Sequence, residues 1–303
     1  MPSKDNLPTA PTPFLRWAGG KRRLTDILIE SFPKSFNSQK SNFYEPFVGG
    51  GALMIRLGDI SSPFYVDGSK LYINDINPDL VLTYKAIQKN PNKLMNEIDK
   101  IALKKNEKEF LEIRSWKPTS AIQRAARFIY LNKTCFNGLW RVNSKGEFNV
   151  PFGKLKNPQI YDRENLLALS LRLKNATITN LAFSSAVESA QEGDLIYFDP
   201  PYIPLNASSS FAQYAKDGFG MMEQYALAGV IEGLTNKGVN VILSNSDTPE
   251  TREVFGSVLT LHQISASRSI SAKASSRGNV KEIIGINFKV NSKSNIHNLR
   301  IVS

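Results

Sequence analysis

The residues best suited to chemistry are Asp199, Pro200, Pro201 and Tyr202, which follow the apolar run Leu195–Phe198. A carboxylate, a carbonyl that cannot drift and an aromatic face are presented together there. Such a set suits an exocyclic amine on a nucleobase, a poor nucleophile because its lone pair is delocalised into the ring. A strong base does not cure that, but geometry does. If the Asp199 carboxylate and the Pro200 carbonyl both accept hydrogens from the amine, the nitrogen is pushed toward a tetrahedral shape and its lone pair points at an electrophile. The two prolines fix φ and remove competing N–H donors, so the acceptors are preorganised. Tyr202 offers a flat surface for a base taken out of its stack. Taken alone, the tetrapeptide reads equally well as a tight turn closing a strand.

Such a corner needs a strand that ends on it. Leu195–Phe198 reads as a buried parallel strand stopped by Asp199 and the prolines, and in open α/β sheets ligands sit at the carboxyl ends of the strands. Two glycine-bearing segments upstream fit the same edge. Trp17-Ala18-Gly19-Gly20-Lys21 precedes a predicted helix from Arg22 to Ser31 that Pro33 terminates. It is no P-loop: the earlier glycine is missing and Arg22 stands where Ser or Thr would hold magnesium. A carboxylate-bearing cofactor suits Lys21 and the glycine turn, with Trp17 packing alongside. Asn42–Glu45 then reads as a strand running through Phe47, Gly49, Gly50 and Gly51 into a helix ending at Leu57, an order that brings backbone beside a nucleotide-like ligand. A second strand, Leu71–Asn74, ends at Asp75, placed to accept the ribose hydroxyls of an adenosine group.

Bulk composition narrows the partners. The chain has 303 residues, 41% hydrophobic and 21% charged, enough for one large domain or two ordinary ones. No apolar run is long enough to span a bilayer, and Met1–Pro13 lacks the apolar core of a signal peptide, so a cytoplasmic protein without a membrane partner is expected. One cysteine, Cys135, and two distant histidines, His262 and His297, leave no legible metal site and no Cys-His or Ser-His nucleophile. Cys135 is expected as a small packed side chain. A net charge of +11 favours a polyanion as partner. From Ser115 to Ile160 eight basic residues face the single acid Glu147.

Within that basic stretch, alternation on both sides of Asn143–Gly146 reads as a β-hairpin. A two-stranded ribbon fits the major groove, where Arg141 can bond a guanine edge while Leu139 and Pro151 touch a thymine methyl. Phe136, beside Asn137, suits the space that an extruded base leaves. Helices are expected from Asp79 to about Ala102 with Pro91 as a break, over Glu107–Trp116 and over Thr119–Leu131. Further strands are expected at Ala176–Phe183, Val239–Ser244, Leu259–Ile264 and Ile283–Phe288, with a helix over Met222–Asn236. Ser267–Gly278 is a basic, serine-rich loop able to grip phosphates.

In this order, the motifs at Trp17–Lys21, Glu45–Gly51, Asn74–Asn77, Asn137–Lys154, Asp199–Tyr202, Ser244–Thr248 and Arg268–Ser271 resemble those of the Dam-type DNA adenine N6-methyltransferases. The resemblance covers roughly Phe14 to Phe288. It implies S-adenosylmethionine as methyl donor, surrounded by Trp17, Lys21, Phe47, Gly49, Gly51, Asp75, Phe183 and Asp199, and it implies no metal. Asp199, Pro200 and Tyr202 become the catalytic group acting on a flipped adenine in double-stranded DNA. Arg16, Phe136, Asn137, Leu139, Arg141, Pro151 and Lys154 become the set that reads GATC. The fold implied is a seven-stranded, mostly parallel α/β methyltransferase sheet over residues 1–84 and 161–292. A mainly helical target-recognition domain with the β-hairpin is inserted at 85–160, 293–303 is a flexible tail, and the protein is a monomer in solution. Two departures stand out. Lys154 lacks the planar fork of the arginine that relatives carry, and Ser184-Ser185 supply no acid for the cofactor's adenine amine. Cytosine-N4 or RNA amino-methylation, or DNA binding without catalysis, are the alternative readings.

Overall fold

Short apolar runs pair into one sheet, and the longer amphipathic stretches between them cover its faces. In this computed structural model the described residues are 11–17, 19–21, 24–58, 64–202, 219–267, 279–289 and 300–302. The strands are β1 (Phe43–Glu45), β2 (Leu71–Asn74), β3 (Thr177–Thr179), β4 (Leu195–Phe198), β5 (Asn240–Ser246), β6 (Thr260–Ser267), β7 (Asn279–Ile286) and β8 (Arg300–Val302). The helices are α1 (Thr25–Glu30), α2 (Ala52–Arg56), α3 (Pro78–Lys89), α4 (Pro91–Ile101), α5 (Glu107–Ser115), α6 (Ala121–Thr134), α7 (Arg163–Arg172), α8 (Phe183–Ala186), α9 (Met221–Asn236) and α10 (Pro249–Phe255). The loop 268–278, the arm 1–10, Arg22 and residues 290–299 lie outside the described residues.

The sheet runs β3-β2-β1-β4-β5-β7-β6-β8. From β3 to β5 every pairing is parallel, whereas β7 lies antiparallel to both β5 and β6, and β8 antiparallel to β6. The expected seven strands are therefore eight. The extra strand comes from the segment expected as a loose tail, where Val302 is buried and pairs with Leu261. An unpaired sheet edge offers N–H and C=O groups, and a chain end that satisfies them is tied down.

Both faces of the sheet are covered, which explains why β4 reads as an unbroken apolar run. Leu195 and Tyr197 belong to the larger core cluster, whereas Ile196 and Phe198 belong to a second cluster with Leu227 and Ile231 of α9. The larger cluster runs from Phe43 and Leu71 of the sheet through Tyr84 and Ile87 of α3 to Met95, Phe110 and Ile129 of α4–α6. Helices α4–α6 thus share a core with the sheet, and residues 84 and 85 both lie inside α3. Asn77 starts that helix by accepting from the N–H groups of Asp79 and Leu80, with Pro78 at its first position. Caps of this kind contribute roughly 1 kcal/mol.

Two local expectations change. The strand expected over Ala176–Phe183 covers only Thr177–Thr179. The Asn74 side chain accepts from Leu181 N (2.8 Å) and donates to Leu181 O (3.1 Å), taking groups that a continuing ladder would need. Phe183 accordingly opens α8. The hairpin keeps its turn, with Gly146 N donating to Asn143 O at 2.9 Å, but only isolated bridges, Val142 to Phe148 and Cys135 to Phe152, replace the ladder. Trp140 lies between Phe128 of α6 and Phe148, ring centroids 4.0 and 4.7 Å away, so aromatic packing holds this segment.

Candidate active site

β1 and β4 are neighbours, but the chain leaves β1 toward β2 and returns to β4 from the far side. This reversal opens a crevice at the carboxyl edge, where open α/β sheets hold their ligands. The glycine loop after β1, Asp75 after β2 and the Asp199–Tyr202 corner after β4 all emerge there.

The glycine loop is shaped by what surrounds it. Gly49 and Gly51 have φ of +45° and +67°, a region costly for other residues. A Cβ at Gly49 would lie 2.7 Å from the Trp17 indole nitrogen, and one at Gly51 2.7 Å from the Tyr84 hydroxyl. Tyr84 donates to Gly49 O at 2.9 Å. Asp75 accepts from Gly49 N (3.0 Å) through Oδ2 and from Asn77 N (2.9 Å) through Oδ1. Burial pushes its carboxyl up, and these N–H groups pull back. Phe47 stacks on Phe183 at 5.7 Å with Phe219 edge-on at 5.5 Å. Ile76, next to Asp75, is an exposed apolar side chain beside this edge. Trp17, Phe47, Gly49, Gly51, Asp75 and Phe183 are thus brought together at this edge, an acid and an aromatic cluster around the glycine loop.

At the corner itself, Lys21 Nζ lies 2.9 Å from Asp199 Oδ1, donates to Gly19 O at 2.8 Å and sits 4.3 Å from the centroid of the Tyr202 ring. Lys21 is buried and Asp199 is 20% exposed at its side chain. Burial raises the Asp199 carboxyl above its ordinary value, and the Lys21 charge and hydrogen bond are the main opposing influences. Behind the corner, buried Gln224 of α9 donates from Nε2 to Pro201 O at 2.8 Å and accepts from Asn245 Nδ2 at 3.3 Å. The Tyr202 hydroxyl donates to Glu282 of β7 at 3.2 Å. Below it, buried Glu45 accepts from Met54 N at 3.1 Å, and burial followed by the Asp199 charge holds its carboxyl well above the usual range.

The basic segment meets this site through the Trp17–Phe128 ring contact and the Asn132 amide. Asn132 accepts from Arg16 N (2.9 Å) and donates to Arg16 O (2.8 Å) and Gly138 O (3.0 Å). The chain before Trp17 is thereby fastened to the Phe136–Gly138 turn, in which Asn137 adopts a left-handed φ of 54°. Arg16, Phe136, Arg141, Pro151 and Lys154 are exposed, whereas Leu139 is half-buried against the core. Arg141 Nε donates to Asn149 Oδ1 at 2.7 Å. Lys133, beside Arg16, is lowered to about 8 by burial and then by the arginine charge. Cys135 is buried, its thiol pushed up to about 11 by that burial, as a packed side chain requires.

Sequence reasoning missed Tyr84, Asn132, Gln224 and Glu282. Glu282 carried a signal, an acid directly before the apolar run Ile283–Ile286. Gln224 carried none that separates it from a surface amide. Among the described residues no group of three His, Cys, Asp or Glu could hold a metal ion, and no helix is long and apolar enough to cross a membrane.

The family model for the D12 class of N6 adenine-specific DNA methyltransferases matches residues 17–270. The chain is 39% identical over 284 residues to the type II methyltransferase M1.LlaDCHI of Lactococcus lactis subsp. cremoris, covering 91% of this chain and 95% of that protein. It is 36% identical over 290 residues to the type II methyltransferase M.MjaIII of Methanocaldococcus jannaschii, covering 91% and 99%. With the DNA adenine methylase of Escherichia coli K12 it shares 31% identity over 277 residues, covering 90% and 94%.

Proposed function

Because the chain belongs to the D12 class of N6 adenine-specific DNA methyltransferases, we propose that it transfers a methyl group from S-adenosylmethionine to N6 of an adenine turned out of double-stranded DNA, within GATC. The observation that carries this reading is the Asp199–Tyr202 corner, braced by Gln224 and Glu282 and standing beside the glycine cradle at the sheet's crevice.

The cradle fits the donor. Asp75 would hold the ribose hydroxyls and Phe47 and Phe183 would flank the adenine ring, while glycine at 49 and 51 lets the loop close against Trp17 and Tyr84. When bound, S-adenosylmethionine supplies an electrophilic methyl group on a sulfonium.

The chain's own work is to shape the amine. Lys21 meets Asp199 Oδ1 and opposes the burial that favours a protonated carboxyl, and Oδ2 accepts one amine hydrogen. The Pro201 carbonyl is committed to Gln224, so the Pro200 carbonyl accepts the other. With both hydrogens held, the nitrogen lone pair turns out of the ring's conjugation. Tyr202 supplies the surface under the extruded base. The proton released on transfer passes to Asp199 or to solvent, with no covalent enzyme intermediate. Reading of the sequence falls to Arg16, Phe136, Asn137, Leu139, Arg141, Pro151 and Lys154 in the insert and its N-terminal fastening.

The test is to expose unmodified duplex DNA to the pure protein and S-adenosylmethionine, digest it to nucleosides and map the modified positions. N6-methyladenine at GATC, lost in Asp199→Ala while cofactor binding persists, is the expected result. N4-methylcytosine, methylation confined to RNA, or full turnover by Asp199→Ala would overturn it.

A further inference from the structure

The Tyr202 ring is held at two points. The Lys21 ammonium sits 4.3 Å from its centroid, and its hydroxyl donates to Glu282 Oε2 at 3.2 Å. Glu282 is 6% exposed, and among the described residues Tyr202 is its only side-chain hydrogen-bond donor. It stands on β7, opposite Ser246 of β5 on one side and Ile264 of β6 on the other. Only the antiparallel course of β7 brings the start of a strand to an edge where β4 and β5 present their carboxyl ends.

Among the described residues no cation pairs with Glu282; a buried carboxylate without one is costly, and here a phenol points at it. A tyrosine held at its face by a cation and at its hydroxyl by an acceptor cannot swing about χ1 without losing both contacts. We propose that Glu282 is a positioning residue, one that sets the plane of the Tyr202 ring on which the extruded adenine rests. This inference rests on the amine-methylation reading above. Glu282 touches neither substrate nor cofactor in this role and acts through Tyr202.

The experiment compares Glu282→Leu, Glu282→Gln, Tyr202→Phe and the double variant Tyr202→Phe/Glu282→Leu. It uses single-turnover methylation of a duplex carrying one target site, with 2-aminopurine in place of the target adenine as a fluorescent probe in parallel. Glu282→Leu and Tyr202→Phe should each slow the chemical step by about tenfold or more, the scale of a lost hydrogen bond to a charged group. The double variant should be no slower than Tyr202→Phe, because the bond to Glu282 is already lost there. Glu282→Gln, whose amide oxygen still accepts from the phenol, should recover most of the rate. Cofactor affinity should stay unchanged, and 2-aminopurine should still brighten on extrusion but be less quenched by the ring. Should Glu282→Leu fail to fold, Glu282→Met removes the same acceptor with a side chain of similar length and carries the test. Multiplying losses in the double variant, or wild-type rates in Glu282→Leu or in Tyr202→Phe, would overturn the inference. If wild-type protein methylates adenine and Asp199→Ala does not, such a result sinks this inference alone; an inactive wild type sinks the function proposed above instead.

Discussion

Lys21 Nζ stands 2.9 Å from Asp199 Oδ1, although 177 residues separate them in the chain. The lysine leaves the turn after Trp17 and the aspartate leaves β4, so the pair joins the first motif to the corner where the amine would lie. It also decides the charge state of that corner, because burial favours a protonated carboxyl and the ammonium favours a carboxylate.

The first prediction follows from that balance. The Asp199 carboxyl lies above its ordinary value even with Lys21 present, and its ionised form is the stronger acceptor for the amine. The rate should therefore fall as pH drops through that raised value. Lys21→Gln withdraws the opposing charge, raises the carboxyl further and should move the acid limb of the pH–rate profile to higher pH. An unmoved limb in that variant would show that Lys21 does not set the ionisation of Asp199.

Gln224 braces the same corner from behind, holding Pro201 O at 2.8 Å with its amide completely buried. Gln224→Leu removes the donor to Pro201 O and the acceptor for Asn245 Nδ2. The expected cost is roughly 1–3 kcal/mol of stability, the range for two lost hydrogen bonds. The rate of methyl transfer should drop while cofactor affinity holds. Thermal melts with calorimetric titration of the cofactor check both halves, and an unaltered rate would remove Gln224 from the positioning of the corner.

Arg141 is exposed, and its Nε donates to Asn149 Oδ1 at 2.7 Å. A fixed guanidinium with two nitrogens left is suited to the O6 and N7 edge of guanine. Arg141→Ala should relax selection at one base pair of the target by about 1–3 kcal/mol, the value of one bidentate contact. Sequencing methylated sites across a random library measures this, and an unchanged consensus would relocate the readout.

Glu45 offers a prediction about stability rather than rate. Its folded-state carboxyl lies well above the unfolded value of 4.5, because of burial and then the Asp199 charge. The folded protein therefore binds a proton that the unfolded chain releases, and stability falls as pH rises from 4.5 toward the folded-state value. Glu45→Gln removes this penalty. Its melting temperature should match that of wild type near pH 4 and exceed it progressively at neutral pH; equal melting temperatures at both would refute the assigned protonation.

Much of this architecture was legible in local residue order. Leu195–Phe198 with the prolines behind it identified β4 and its abrupt end, Asn77-Pro78 marked the start of α3, and Pro91 separated α3 from α4. Gly49–Gly51 announced a glycine loop between a strand and a helix, and lysine and arginine were seen in excess between Ser115 and Ile160. These signals survive because capping, chain breaking and periodicity act over a few residues. The tertiary structure alone decided that β7 turns back to bring Glu282 under Tyr202, that Asn74 diverts the chain at Leu181, and that β8 closes the far edge. It alone decided the ionisation of Asp199 and the protonation of Glu45, since desolvation depends on which distant groups the sheet order packs together, and no short window of sequence contains that order.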